Sequence, residues 1–189
     1  MNWKFLLAGI IICLIVIVTI MRREIHFKPK DSLQQIPDSI LENMSEELKF
    51  LTTTSDKVFI RLKKIGFEGL GDAEKVFVCV WVLDGQVNNG GFDQFFFNSS
   101  GEYSVEAVSS FEKIGATKIA GIIQRANSMF KNGRPPKNWE SRQEELLKMP
   151  ESAKEEMERL TNEFYEYPDD VDKLLYQFVL KHREEFLDI

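Results

Sequence analysis

The run from Val87 to Gly101 reads VNNGGFDQFFFNSSG, and the predicted fold is organised around it. An apolar segment precedes the two glycines and a phenylalanine-rich segment follows them. Gly90 and Gly91 together permit positive φ and close approach of the backbone to other groups. The stretch therefore predicts a turn between two helices that holds a polar loop against aromatic side chains.

The segments on both sides of this turn have helical spacing. The segment before it, 73–87, has a continuously apolar middle over 76–83 that also fits a buried strand, but the length of the whole segment favours a helix. Upstream, Ser39 with Glu42 forms a capping pattern. Apolar stripes predict further helices over 40–51, 58–65, 92–97, 104–114, 119–130, 141–149, 152–164 and 171–186. The predicted fold class is all-α, a single compact multi-helix domain preceded by one N-terminal transmembrane helix.

The transmembrane prediction rests on residues 5–21, which carry no charge. At about 1.5 Å per residue this segment spans roughly 26 Å, close to the thickness of a bilayer's hydrocarbon core. A cleaved signal peptide is the rival interpretation, but no small-x-small cleavage site follows the run. The predicted organisation is an N-terminal tail over 1–4, a transmembrane anchor over 5–21, a basic, proline-containing linker over 22–37, and an acidic all-α domain over 38–189.

Charge is unevenly distributed along the chain. Residues 1–30 carry +4, whereas the remainder carries −10 of the total of −6. The basic residues after the apolar segment favour a single-pass protein of the inner or plasma membrane with its domain in the cytoplasm. The acidic domain disfavours direct nucleic-acid binding and favours a basic protein surface as partner.

Several further sequence patterns lie outside the central run. They are Ile114-Gly115-Ala116, Phe164-Tyr165, the pattern from Leu174 to Val179, and the segment from His182 to Phe186. Together with the run from Gln86 to Gly101, they resemble a bacterial family of domains of unknown function that includes a Neisseria DNA-mimic protein. The resemblance covers roughly 47–187. It implies an all-α fold and an acidic surface that occupies the DNA site of a transcription regulator. It implies no catalytic residues and no cofactor.

The central motif has two interpretations. In the first, it contacts a ligand or partner through Asn88, Asn89, Gly90, Gly91, Phe92, Gln94, Asn98, Ser99 and Gly101. In the second, its amides satisfy backbone groups at facing helix ends. The four phenylalanines of 92–97 cannot all face inward, so one or two are expected at the surface, where a partner or a second copy in a homodimer would cover them.

Acidic residues concentrate after Pro150. On the helix that follows, Glu151, Glu155 and Glu158 fall within about 60° of one another and opposite the apolar stripe. Their spacing imitates successive phosphates, whereas a solvated helix face is the simpler interpretation. The predicted partner-binding surface comprises Glu151, Glu155, Glu158, Glu163, Glu166, Asp169, Asp170 and Asp172.

Enzymatic signals are weak. His26 and His182 have no ligand neighbours at metal spacing, so no metal site is predicted. Asp84 and Asp93 flank the turn, where a carboxylate pair for hydrolysis is a minor alternative. The preferred function is a membrane-anchored, non-catalytic interaction module that binds a basic partner such as a transcription regulator. The alternative is a small-ligand-binding or sensing module in which the Asn-Asn-Gly-Gly turn lines a pocket.

Overall fold

The structure is a computed structural model that describes Pro37, Ile40 and residues 42–186. Seven α-helices occupy this part of the chain, joined by short loops and 3-10 turns. They are α1 (Glu46–Ile65), α2 (Asp72–Phe97), α3 (Ser104–Ile114), α4 (Thr117–Ser128), α5 (Trp139–Leu147), α6 (Glu151–Tyr165) and α7 (Val171–Lys181). Short 3-10 turns lie at Ser99–Tyr103, Lys131–Gly133 and Arg183–Phe186. The all-α prediction is confirmed, because residues 42–186 contain no strand.

Helix α2 is the centre of the molecule. It packs against α1, α3, α5, α6 and α7. Its middle is buried on all sides, which explains why the sequence there is continuously apolar rather than striped. The competing strand interpretation of this segment is therefore wrong.

Helix α1 differs from the sequence prediction of two separate helices. Ser45 caps it through a hydrogen bond from the Leu48 amide, and the helix then continues to Ile65. The residues between the two predicted helices are helical as well, and the threonine hydroxyls there are satisfied by carbonyls one turn earlier; Thr52 Oγ1 lies 2.8 Å from the Leu48 oxygen. The predicted capping residue Ser39 lies outside the described residues.

The other predicted helices are present, with ends shifted by a few residues. Gly115 ends α3 in the left-handed conformation, at φ 92°. Asp170 caps α7 by accepting a hydrogen bond from the Lys173 amide. Of the four phenylalanines after the turn, Phe92, Phe95 and Phe96 are fully buried and Phe97 is 46% exposed, which confirms the expectation that one of them reaches the surface.

The predicted membrane anchor over 5–21, the tail before it and most of the linker lie outside the described residues. Across the described segments, no helix is both long and apolar enough to span a bilayer.

Candidate functional site

The Asn-Asn-Gly-Gly motif is a kink inside α2. Gly90 and Gly91 leave helical geometry, and Gly91 adopts φ 73° and ψ −176°, a conformation that only glycine enters readily. A methyl group on Gly90 would lie 2.3 Å from the Gln94 side-chain oxygen. The kink frees the Phe92 amide, which donates to Thr161 Oγ1 of α6 at 3.1 Å. The glycines therefore redirect the chain and allow close approach of α6.

The motif's amide side chains bridge the two halves of the kinked helix. The buried Gln86 accepts hydrogen bonds from Gln94 Nε2 at 3.2 Å and from Asn98 Nδ2 at 2.7 Å. Asn89 Nδ2 donates to the Gln94 side-chain oxygen at 3.0 Å. The structure thus brings Asn89, Gln94 and Asn98 together, but around Gln86. These three amides brace the kink through bonds between side chains, rather than by satisfying backbone groups at helix ends as the structural interpretation expects.

Two tyrosines close the outer side of the kink. Tyr165 Oη donates to the Val87 carbonyl at 2.8 Å, and Tyr167 Oη donates to Asn88 Oδ1 at 2.7 Å. Partial burial raises the pKa of Tyr165, so its hydroxyl keeps its proton and remains a donor at neutral pH. The predicted contact residue Asn88 therefore reaches the loop after α6.

The Asn-Ser-Ser-Gly end of the motif surrounds a buried arginine that the sequence prediction missed. Arg142 of α5 is fully buried, and all five of its guanidinium N–H groups face backbone carbonyls. The carbonyls belong to Phe96, Asn98, Ser99, Pro136 and Lys137, at 2.7 to 3.4 Å. Burial lowers the pKa of Arg142. The guanidinium thus satisfies carbonyls at the C-terminal end of α2, where helices leave such groups unpaired.

Gly101 gives this arginine the space that it occupies. A methyl group there would lie 2.5 Å from Arg142 Nε and 3.0 Å from the Phe95 carbonyl oxygen. One feature of the sequence could have predicted that Arg142 is buried. It lies one helical turn before the buried Leu146, so both residues share the inner face of α5.

The acidic residues predicted to form one surface divide into three groups. The first group faces solvent on the outer side of α6. Glu151, Glu155 and Glu158 are exposed there, opposite the buried Met157 and Leu160, and the exposed Glu166 follows the helix. Glu151 pairs with Lys154 at 3.5 Å. Glu155, Glu158 and Glu166 form no ion pair with any residue of the described part.

The second group is neutralised or used in capping. Glu163 lies on a flank of α6 and pairs with both Arg125 and Arg159, and the hydrogen bond from Arg125 is the main cause that lowers its pKa. Asp169 accepts hydrogen bonds from the amides of Lys118 and Ile119, at 2.9 and 3.0 Å, at the start of α4. Asp170 caps α7. These three carboxylates have specific partners within the fold.

The third group lies where α2 meets α7. Burial raises the pKa of Asp84 to about 8, and the carboxylate of Asp172 adds to the rise, while a hydrogen bond from Asn88 opposes it. Asp93, the other candidate of the hydrolytic alternative, interacts with different charges, those of Lys154 and Glu158 of α6. The structure therefore pairs Asp84 with Asp172 rather than with Asp93.

A groove of about 360 Å³ lies between α3, α4 and the loop at Arg134, and none of its lining residues comes from the Asn-Asn-Gly-Gly turn. Within residues 42–186, no group of three or more histidine, cysteine or acidic side chains is placed to hold a metal ion. The lone described cysteine, Cys79, is buried.

Comparison with known proteins supports the resemblance seen in the sequence. No curated protein and no solved structure matches the chain significantly. A sequence profile described as DMP19-like protein matches residues 68–182, which run from the loop before α2 to the end of α7. This match covers more than half of the chain and includes the kink, the Arg142 site and the acidic face of α6. The chain belongs to the DMP19-like protein family.

Proposed function

We propose that this protein is a membrane-anchored, non-catalytic interaction module that binds a basic surface of another protein in the manner of a DNA mimic. Family membership supports a DNA-mimic-like interaction module in general terms. The observation that carries the finer proposal is the exposed face of α6. There, Glu155, Glu158 and the following Glu166 project into solvent without an ion-pair partner in the described chain.

The spacing on this face suits a groove that binds nucleic acid. Glu155 and Glu158 are three residues apart, which separates them by about 5–6 Å, and Glu166 follows Glu158 by about 12 Å along the axis. One DNA strand presents a negative charge about every 3.4 Å along the axis, so the helix offers a sparser row of charges on the same length scale. Glu155 to Glu166 covers about 16 Å at 1.5 Å per residue. A basic groove that follows a DNA backbone would meet three carboxylates over that distance.

The internal bracing around the kink has a part in this proposal. Tyr165 and Thr161, both on α6, bond to the backbone of α2 on either side of Gly90. These contacts fix the orientation of the acidic face relative to the core. We infer that the motif contributes to binding by positioning α6, and that its amides have a structural role.

The test compares two charge-neutralised variants of the full chain. In Glu155→Gln/Glu158→Gln the acidic face is weakened, and in the control Glu47→Gln/Glu112→Gln two exposed carboxylates are removed from other helices. Both variants gain the same charge. The wild type and each variant serve as bait in a cell extract at low salt, and the captured proteins are quantified. Duplex DNA is then added to each captured complex.

We expect a captured partner to bind the first variant at least about tenfold more weakly, equivalent to about 1.4 kcal/mol, and to bind the control like the wild type. Duplex DNA should displace that partner, because the two polyanions share one basic surface. Rising salt should weaken the complex. Equal capture by both variants, or a partner that holds DNA and this protein together, would refute the proposal.

We also propose that residues 5–21 anchor the protein in the inner or plasma membrane, with the acidic domain in the cytoplasm, where a DNA-binding partner is available. Alkaline extraction of isolated membranes tests the anchor, since an integral protein stays in the pellet. Protease treatment of intact spheroplasts tests the orientation. Release by alkali or cleavage from outside would contradict the respective part.

A further inference from the structure

Helix α1 presents a basic outer face. The side that packs into the bundle carries buried residues such as Leu51 and Val58. The opposite side carries residues that share a face at helical spacing, namely Phe50, Thr53, Lys57, Ile60 and Lys64, and Glu46 begins the same face and pairs with Lys49 at 2.8 Å. Lys63 flanks this set. The helix precedes the region that matches the family profile, which starts at residue 68.

The lysines of this face are available to an external partner. Arg61 directs its guanidinium inward to the buried Glu74, at 2.8 Å. Lys57, Lys63 and Lys64 are exposed and form no ion pair with any other described residue. Lys49 and Arg61 of α1 are paired, with Glu46 and Glu74 respectively, so the charge available to a partner is that of Lys57, Lys63 and Lys64.

Apolar side chains stand among these lysines. Ile60 is 48% exposed at the centre of the outer face, and Phe50 is 38% exposed. The Phe50 ring contacts Tyr176 of α7, with 5.3 Å between ring centroids. One turn further along α7, Leu180 is 44% exposed. Basic residues interleaved with exposed apolar tips are typical of helices that lie at a bilayer interface.

The chemistry of this face fits a phospholipid bilayer. Lysines attract anionic headgroups, worth about 1 kcal/mol each near such a surface, while the apolar tips enter the headgroup region. A nucleic acid also carries phosphates, but the anchor proposed for residues 5–21 holds α1 beside a bilayer, and the inference rests on that part of the proposed function. A flat membrane can contact the basic face of α1 without contacting the acidic surfaces elsewhere on the domain. Four basic residues also stand between the predicted anchor and α1: Arg22, Arg23, Lys28 and Lys30.

We propose that the outer face of α1, formed by Lys57, Lys63 and Lys64 around Ile60 and Phe50, docks on the anionic headgroups of a lipid bilayer. Docking holds the domain in one orientation on the membrane. The acidic face of α6 belongs to a helix that packs against α2 and α4, so it is a separate surface. The inference does not depend on the partner proposed for α6.

The experiment places a fluorescent reporter on the outer face of α1 or on the outer face of α6 in the full-length protein. In a Cys13→Ser background, a fluorophore is attached at Thr53→Cys on α1 or at Ser152→Cys on α6, while the buried Cys79 stays unlabelled. The protein is reconstituted in phosphatidylcholine vesicles with or without phosphatidylglycerol. A headgroup-attached spin label in the lipid quenches a fluorophore that lies at the membrane surface.

We expect stronger quenching at position 53 than at 152, and only with phosphatidylglycerol present. Lys57→Glu/Lys64→Glu should abolish the difference, since each lost lysine weakens docking about fivefold. The control Lys148→Glu/Lys154→Glu should leave it intact. Equal quenching at both positions, independence of phosphatidylglycerol, or indifference to the α1 reversals would overturn the proposal. Flotation with neutral vesicles reports the anchor separately, and helical circular dichroism verifies folding of each variant.

Discussion

The substitution Arg142→Lys tests whether the carbonyl cage defines the end of α2. Arginine pairs all five N–H groups with backbone carbonyls, whereas a lysine ammonium has three donors at a single point. At least two carbonyls lose their partner. Hydrogen bonds to a charged group contribute about 1.5–3 kcal/mol each, so we expect a loss of about 3 kcal/mol or more in the free energy of unfolding. That is a large fraction of the roughly 5–15 kcal/mol available to a domain.

Urea unfolding followed by helical circular dichroism measures this loss. With an m value of about 2 kcal/mol per molar urea, the midpoint should fall by roughly 1.5 M without a change in m. The matched control is Arg134→Lys at an exposed position, where we expect a change within about 0.5 kcal/mol. A loss below about 1 kcal/mol for Arg142→Lys would show that the cage is not a main stabilising element, and the role assigned to the Asn-Ser-Ser-Gly segment would fail with it.

Two further substitutions address the kink and the carboxylate pair. Asp84 has a pKa of about 8 in the folded state and about 4 in the unfolded state, so the folded protein holds an extra proton between those values and stability falls as pH rises through that window. Asp84→Asn should flatten this slope and exceed the wild type in melting temperature above pH 8; an unchanged slope would show that burial does not raise the pKa of Asp84. Gly91→Ala should destabilise the protein by about 1–3 kcal/mol, because φ is positive and the new methyl would lie 3.0 Å from Thr161 Cγ2. Gly121→Ala, in a helix with open space around it, should instead stabilise by about 0.5–1 kcal/mol, and equal effects at the two glycines would contradict the strain argument.

The helical architecture was readable from the sequence because apolar periodicity reports directly on burial. Helix α6 shows this well: its buried stripe and exposed carboxylates follow from spacing alone. The long apolar run of α2 gave no stripe, and length decided correctly in favour of a helix. The prediction of two helices in place of α1 was wrong, because the buried residues in its middle, Thr52, Thr54 and Ser55, are polar and leave no apolar stripe.

The site was harder to predict because its contacts join residues distant in sequence. Arg142 lies 46 residues from the Phe96 carbonyl to which it donates, and no local pattern encodes that pairing. Similarly, acidic composition could not distinguish Glu158, which has no ion-pair partner in the described chain, from Glu163, which has two arginines. Surface charge depends on which cations the fold brings near, and this information appears only in three dimensions.

The N-terminal end of α2 is completed from both ends of the described chain. Glu74 is almost fully buried and takes its counter-charge from Arg61 of α1, while the Ala73 amide donates to Glu185 after α7. Both partners lie outside the segment 68–182 that relatives share. A fragment cut to those boundaries would strand a carboxylate in an apolar interior and leave a helix amide without its acceptor. We therefore expect a piece that covers residues 45–186 to be more stable than one cut to 68–182.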